Sequence, residues 1–147
     1  MGHRVPNHKS KCRNIHGHTY FLDVTLEGMV IDMEGSSDQG MVIDFSDIKS
    51  IVSKFIDDNL DHGYMGHEDL DAVYLTLFKN DGLKYVAVPF VPTAENIVAY
   101  LYNNLAPLFS DVYGNGLKLV KLTLWETPKS FVEYEPKEED NTFKKDN

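Results

Sequence analysis

Alternating apolar and polar positions predict that the first long strand of the chain covers residues 20–30. Successive side chains of a strand point to opposite faces, so one face of this strand is apolar and the other is polar. The apolar face consists of Leu22, Val24 and Leu26. Residues 34–40 have the composition of a turn, and the apolar run at residues 41–45 is again extended. Together these runs predict an antiparallel hairpin over residues 19–45.

Two later segments have the apolar period of helices. The first follows the helical spacing without a miss, at Ile48, Ile51, Val52, Phe55 and Ile56. Either Asp44 or Ser46 would cap its start, and it is expected to end near residues 58–59. The second helix has Thr93 as its predicted N-cap, and its apolar stripe stops before Pro107. Each helix therefore has one face to bury.

The last part of the chain predicts two strands, over residues 117–126 and 130–134. Four side chains of the first strand share a face, namely Val120, Leu122, Leu124 and Glu126. Buried carboxylates are uncommon unless they are paired, so Glu126 either points outward at the strand end or binds a donor-rich ligand. The element order ββααββ predicts an α+β fold, a four-stranded antiparallel sheet with two helices on one face.

Length and composition indicate one domain. The chain has 147 residues, of which 42% are hydrophobic, and this is enough for a buried core. We expect the domain to cover residues 1–134 and the charged residues 135–147 to form a disordered tail. Residues 65–91 show no clear hydrophobic period. Within them, residues 74–78 are predicted to be a short strand or a helical turn, and residues 85–90 are predicted to be extended.

The distribution of charge separates the start of the chain from the rest. A net charge of −9 argues against general nucleic-acid binding, which requires clustered lysine and arginine. Residues 1–22 nevertheless contain no acidic residue and four cations, Arg4, Lys9, Lys11 and Arg13. This segment would attract a small anion such as a phosphorylated metabolite, or it is a solvated basic loop.

Signals for export or membrane insertion are absent from the sequence. No apolar run approaches the roughly 20 residues that span a bilayer, and the start lacks the apolar segment of a signal peptide. A single cysteine cannot form an intramolecular disulfide. We therefore expect a soluble cytoplasmic protein.

A group of histidines near the start has the spacing of metal ligands. His16 and His18 are two residues apart, so in an extended backbone their imidazoles point the same way. A third histidine, His3 or His8, would complete the three-ligand set of a catalytic zinc ion. Cys12, four residues before His16, would be a further ligand, a nucleophile or a base. The alternative is an ordinary pair of surface histidines in a strand.

Asp61 and His62 are a second candidate pair. Adjacent side chains diverge, so we expect no direct contact between the two, although both would reach a common cleft from a loop. The alternative is an aspartate at a helix end beside a surface histidine.

Five segments in chain order carry a family resemblance. They are His3 with Cys12-x-x-x-His16-Gly17-His18-x-Tyr20, then Met41-Val42-Ile43-Asp44-Phe45-x-Asp47-Ile48-Lys49, Leu60-Asp61-His62, Pro92-Thr93-Ala94-Glu95-Asn96, and Trp125-Glu126-Thr127. Together they resemble the 6-pyruvoyl-tetrahydropterin synthase and 6-carboxy-tetrahydropterin synthase family, from His3 to about residue 134. The spacing of three residues between Cys12 and His16 resembles that of the carboxy branch, which serves queuosine and other 7-deazapurine biosynthesis. The pyruvoyl branch usually has a longer gap at this place.

The resemblance implies the tunnelling fold (T-fold), in which subunits assemble as trimers around a shared barrel, commonly as hexameric dimers of trimers, with active sites between subunits. It implies that His3, His16 and His18 hold Zn²⁺ as the cofactor. It also implies a zinc-dependent lyase that converts 7,8-dihydroneopterin triphosphate to 6-carboxytetrahydropterin, with release of acetaldehyde and triphosphate. The alternatives are the pyruvoyl synthase of tetrahydrobiopterin biosynthesis and a non-catalytic zinc- or pterin-binding member.

The resemblance also assigns roles to the remaining residues. Cys12 would be the general base, and Asp61 and His62 would be the proton-relay pair. Glu126 would anchor the pterin ring. Two residues of the second helix, Thr93 and Glu95, would help to hold the pterin across a subunit interface.

The sequence departs from the family pattern in two places. Family members carry a strand before the first zinc histidine, whereas His3 follows only Met1 and Gly2. Either an N-terminal truncation or an internally assigned start would remove this edge strand, and we expect His3 to be loosely held as a result. Residues 65–91 are longer than is usual for the family, so no role is assigned there.

Overall fold

The computed structural model of the protein describes residues 1–137. Its ten main elements, in chain order, are β1 Gly2–His3, β2 His16–Gly17, β3 Phe21–Gly28, α1 Phe45–Asn59, β4 Tyr64–His67, α2 Ala72–Asn80, β5 Tyr85–Val88, α3 Ala94–Tyr113, β6 Leu117–Thr127 and β7 Ser130–Tyr134. Most of the tail that we expect to be disordered lies outside the described residues. Among residues 1–137, no helix has both the length and the apolar character needed to cross a membrane.

The strands form two sheets. Strands β3, β6 and β7 make an antiparallel sheet in the order β3-β6-β7. The shorter strands make a mixed sheet in the order β2-β1-β4-β5, in which β4 runs parallel to both β1 and β5. The α+β class is confirmed, but the single four-stranded antiparallel sheet and the order ββααββ are wrong. Strand β5 lies within residues 85–90, which the sequence predicts to be extended, and so confirms that prediction. Strand β4 has four residues, of which three are buried, so its sequence lacks a strand period.

The predicted hairpin over residues 19–45 is also wrong in its second half. Strand β3 pairs with β6 along its whole length, from Phe21 opposite Trp125 to Gly28 opposite Leu117. Helix α1 begins at Phe45 because the Asp44 carboxylate accepts a hydrogen bond from the Ser46 amide at 2.7 Å. This cap confirms Asp44 among the two predicted candidates.

Helix α3 contributes more buried residues to the core than any other described element. It contacts β6 and β7 and buries Ile97, Val98, Leu101, Tyr102, Leu105 and Phe109. The helix continues through Pro107 to Tyr113, beyond the predicted end of its apolar stripe. Pro107 lies on the exposed side of α3, where water can replace the lost backbone hydrogen bond, while Phe109 is fully buried on the other side. Helix α1 packs its apolar side chains more loosely and has no fully buried residue.

Two bulges alter the faces of β6. The pairing with β3 passes from Thr25–Lys121 to Leu26–Leu119, so Val120 is an extra residue on β6. As a result Leu119, and not the predicted Val120, is buried in line with Leu122 and Leu124. The second bulge lies at Glu126, where the pairing with β7 again skips one residue.

A buried ion pair joins the mixed sheet to α2. Arg4 follows β1, and its Nε donates to the Oδ1 of Asp71, whose side chain is 0% exposed. The other carboxylate oxygen of Asp71 accepts from the His67 amide at 2.9 Å. This pair ties residues 65–91, for which the sequence showed no clear period, to the strand that carries His3.

We expect the Arg4→Met substitution to lower the free energy of unfolding by about 3–5 kcal/mol, because it leaves the buried Asp71 carboxylate without its cationic partner. Urea titration of the purified protein measures this change. The matched control is Lys121→Met, since Lys121 pairs with Glu133 at 3.2 Å on the surface. Its expected loss is within about 1 kcal/mol. Equal losses in the two variants would contradict the prediction.

Candidate metal centre and adjoining cavity

Three histidines converge on one point. In the antiparallel pair of β1 and β2, His3 lies directly opposite His16, and His18 follows β2 by one residue. One ring nitrogen of each lies within 4.8 Å of those of the other two. The remaining candidate, His8, bonds through Nδ1 to the Ser10 hydroxyl at 2.8 Å and is not part of this cluster. The strand pairing therefore selects His3 as the third histidine.

Backbone carbonyls orient two of the three rings. The Nδ1 of His3 donates to the Pro92 carbonyl at 2.7 Å, and the Nδ1 of His16 donates to the Asn14 carbonyl at 2.8 Å. A carbonyl can only accept, so the proton of each neutral ring lies on Nδ1 and the lone pair on Nε2. Hydrogen bonding of the second nitrogen is the usual arrangement around metal-ligating histidines.

His3 is firmly held, contrary to the expectation that it would be loose. Strand β1 lies between β2 and β4, so His3 pairs with His16 on one side and with Met65 on the other. Its side chain is 2% exposed. Burial lowers the pKa of His3, and the neighbouring His16 lowers it further, so the ring is neutral near pH 7 and its lone pair is available.

Glu126 and Tyr20 border the histidine cluster. The Oε1 atom of Glu126 lies 3.6 Å from the Nε2 atoms of both His3 and His18. The Tyr20 hydroxyl donates to Oε1 at 3.2 Å and lies 3.2 Å from the Nε2 of His3. Burial, and then the charge of Glu126, raise the pKa of Tyr20 well above its usual value, so Tyr20 keeps its proton. The bulge directs the Glu126 side chain towards the histidines.

The donor set fits a zinc ion. The lone pair of His3, the lone pair of His16 and the carboxylate of Glu126 converge on this point. The single hydroxyl proton of Tyr20 can satisfy only one of its two neighbouring acceptors, the His3 ring and the Glu126 carboxylate. Such an excess of acceptors favours a cation. Three imidazoles are a usual protein ligand set for catalytic zinc, and one ring nitrogen of each histidine lies within 4.8 Å of those of the other two.

A cavity of about 380 Å³ adjoins the cluster. His18, Tyr20, Asp61 and His62 contribute its polar lining, and the rest is mostly apolar. The Nδ1 of His62 lies 2.7 Å from the Oδ2 of Asp61, so the expectation that the two side chains do not touch is wrong. His62 has a φ of 56°, which turns its side chain back towards Asp61. The hydrogen bond from His62 lowers the pKa of Asp61.

Cys12, Thr93 and Glu95 are not among the described residues that line this cavity. Cys12 lies in a 3₁₀ turn, where its carbonyl accepts from the Val5 amide at 2.8 Å. The Thr93 hydroxyl caps α3 by accepting from the Asn96 amide at 3.4 Å, as predicted for an N-cap. Glu95 is exposed in the first turn of α3. Of the three, Thr93 directly follows Pro92, whose carbonyl accepts from His3.

Sequence reasoning gave no role to Tyr20 or to the Pro92 carbonyl. Tyr20 was detectable, because it follows His18 by two residues and an extended backbone places it on the same side as His16 and His18. The Pro92 carbonyl was not detectable, since it reaches His3 across 89 residues of chain.

Comparison with known proteins decides the family. Residues 1–137 match the family described as 6-pyruvoyl tetrahydropterin synthase. This chain belongs to that family. Membership confirms the resemblance drawn from the five sequence segments.

Relatives within the 6-pyruvoyl tetrahydropterin synthase family cover most of the chain. A Haemophilus influenzae protein named 6-carboxy-5,6,7,8-tetrahydropterin synthase is 38% identical over 137 residues, which is 92% of each chain. A Rickettsia felis protein of the same name is 38% identical over 133 residues, 90% of this chain and 91% of its own. The Aquifex aeolicus protein of that name is 35% identical over 130 residues, 85% of this chain and 76% of its own.

Solved structures show the same fold. An uncharacterized protein from Wolinella succinogenes superposes with a TM-score of 0.73 over 92% of each chain, at 24% identity. The 6-pyruvoyl tetrahydropterin synthase of Caenorhabditis elegans superposes with a TM-score of 0.61, at 27% identity, over 92% of this chain and 88% of its own.

Proposed function

We propose that the protein is a zinc-dependent 6-carboxy-5,6,7,8-tetrahydropterin synthase. It would convert 7,8-dihydroneopterin triphosphate to 6-carboxytetrahydropterin and release acetaldehyde and triphosphate, a step of queuosine biosynthesis. The convergence of three histidines beside a cavity lined by Asp61 and His62 carries this proposal. Relatives that bear this enzyme name at up to 38% identity support the carboxy branch.

His3, His16 and His18 would hold the zinc ion through ring nitrogens. Bound zinc would polarise the side-chain oxygens of the substrate and make the proton on the adjacent carbon easier to remove. The backbone bonds of His3 and His16 keep two of the lone pairs aimed at the ion. Tyr20 remains protonated and donates to Glu126, so it restrains the carboxylate beside the site.

Asp61 and His62 would relay protons at the mouth of the cavity. Asp61 is ionised at neutral pH, and its carboxylate accepts a hydrogen bond from the Nδ1–H group of His62, which lowers the pKa of Asp61 further. The Nε2 of His62 is then free to take a proton from the substrate or to return one. The role of Cys12 as general base rests on the family resemblance, with its place in the loop before His16 as support.

Glu126 would anchor the pterin, because a carboxylate accepts the adjacent N–H groups of that ring. Thr93 and Glu95 do not line the cavity of their own chain, which agrees with the proposal that they hold the pterin of a neighbouring subunit. We further propose a cytoplasmic homo-oligomer built from trimers, as in the hexameric dimer of trimers that the family resemblance implies. The basic residues of segment 1–22 would attract the triphosphate.

Incubation of the zinc-loaded protein with 7,8-dihydroneopterin triphosphate tests the proposal. We expect acetaldehyde and triphosphate in equal amounts, and about one zinc per chain by metal analysis after gentle purification. Triphosphate without acetaldehyde would assign the protein to the pyruvoyl branch. Release of neither product would contradict an enzyme and favour a zinc- or pterin-binding role.

A further inference from the structure

The turn that carries Asp61 and His62 receives a lysine from a distant part of the chain. Helix α1 ends at Asn59, and its last carbonyls have no partner within the helix. The Nζ of Lys84 donates to the Asp57 carbonyl at 2.5 Å and to the Asp61 carbonyl at 2.9 Å. Lys84 immediately precedes β5 and belongs to residues 65–91, the region to which the sequence assigned no role.

The rest of Lys84 is anchored as well. A Cβ atom on Gly63 would lie 3.1 Å from both Cγ and Cδ of Lys84, so the lysine stem crosses directly over this glycine. The Lys84 carbonyl accepts from the Tyr64 amide at 3.1 Å, at the first residue of β4. Backbone and side chain of Lys84 thus hold opposite ends of the turn between α1 and β4.

The turn needs such support because its backbone is unusual. His62 has a φ of 56°, a left-handed conformation that few non-glycine residues adopt. Its side chain is 91% exposed and the Asp61 side chain is 52% exposed, so packing contributes little. The bond from Lys84 reaches the carbonyl of Asp61, which belongs to the peptide group between the two residues.

We propose that Lys84 is a positioning residue for the Asp61–His62 pair. By fixing the peptide between the two residues, its ammonium group keeps their side chains in contact and directed at the cavity. The proposal rests on the proposed function, in which this pair relays protons. Lys84 contacts backbone carbonyls and does not line the cavity in the described part of the chain, so it acts through the turn.

The test compares Lys84→Met with the zinc-loaded wild type. Methionine keeps an unbranched stem over Gly63 but removes both hydrogen bonds. We expect faster hydrogen exchange in residues 59–64, a fall in kcat of about 10- to 100-fold, and KM and zinc content within about twofold, because a displacement of about 1 Å in a reacting group costs up to about 100-fold. Lys84→Arg keeps the charge and the donors and should restore most of kcat.

The matched control is Lys54→Met. Lys54 also lies near the end of α1, but its Nζ contacts only the exposed Asp58 side chain in the described structure, at 2.8 Å. This variant should leave exchange in residues 59–64 and kcat unchanged. It separates the effect of the turn from a general loss of positive charge.

Two results would overturn the proposal. One is unchanged exchange in residues 59–64 of Lys84→Met, which would show that the lysine does not hold the turn. The other is a kcat within twofold of wild type despite faster exchange. If the wild type releases neither product, the proposed function fails on its own, and the exchange comparison still decides whether Lys84 holds the Asp61–His62 turn.

Discussion

Replacing His16 with alanine is expected to weaken zinc binding about 100-fold and to abolish turnover while leaving the fold intact. His16 suits this test better than His3, because His16 is partly exposed in a two-residue strand whereas His3 is 2% exposed between two strands. Apparent binding free energies of about 10–16 kcal/mol for four-ligand zinc sites give about 3 kcal/mol per ligand, or roughly 100-fold in Kd. Competition with a chelating dye measures this loss directly.

The control for His16→Ala is His8→Ala. His8 belongs to the same basic segment, but its Nδ1 bonds to Ser10 and it stands outside the histidine cluster. Its substitution should leave the zinc Kd within twofold of wild type. Equal weakening of zinc binding in the two variants would contradict the assignment of His3, His16 and His18 as the ligand set.

Replacing Cys12 with alanine is expected to lower kcat by about 10²- to 10⁴-fold, the usual contribution of general acid–base catalysis, with zinc still bound. The backbone bond from the Val5 amide to the Cys12 carbonyl does not involve the thiol, so alanine leaves the loop in place. Steady-state kinetics and metal analysis on the same sample provide both measurements.

Two outcomes would contradict this prediction. A kcat within tenfold of wild type would remove Cys12 from the reaction, in agreement with its absence from the described residues that line the cavity. Loss of zinc together with activity would make Cys12 a ligand. Because Cys12 is the single cysteine of the chain, alkylation of the wild type and a mass measurement offer an independent check.

Much of the local structure was readable from the sequence. The caps at Asp44 and Thr93 and the end of α1 near residue 59 were predicted because side chains near the boundary determine where a helix starts and stops. The strands at residues 20–30 and 117–126 were predicted from their alternation. The candidate chemistry at His16 and His18 followed from their spacing of two residues.

The errors share one physical cause. Periodicity reports which face of a segment is buried, but it carries no information about the partner that buries it. Residues 41–45 are apolar enough for a strand. In the structure, however, β3 pairs with the distant strand β6, and the segment before Phe45 leads into helix α1. Strand β4 is short and mostly buried, so no alternation marks it, whereas β5 lies within the predicted extended residues 85–90.

The amino-acid sequence by itself was sufficient to predict the family, the two long helices and the residue types of the site, because these depend on local patterns and on motifs in a fixed order. The choice of His3 over His8, the contact between Asp61 and His62, and the approach of Glu126 to the histidines depend on folding. Each is produced by a long-range pairing, a left-handed residue or a bulge. Such features arise from competition among distant segments, so neighbouring residues do not encode them.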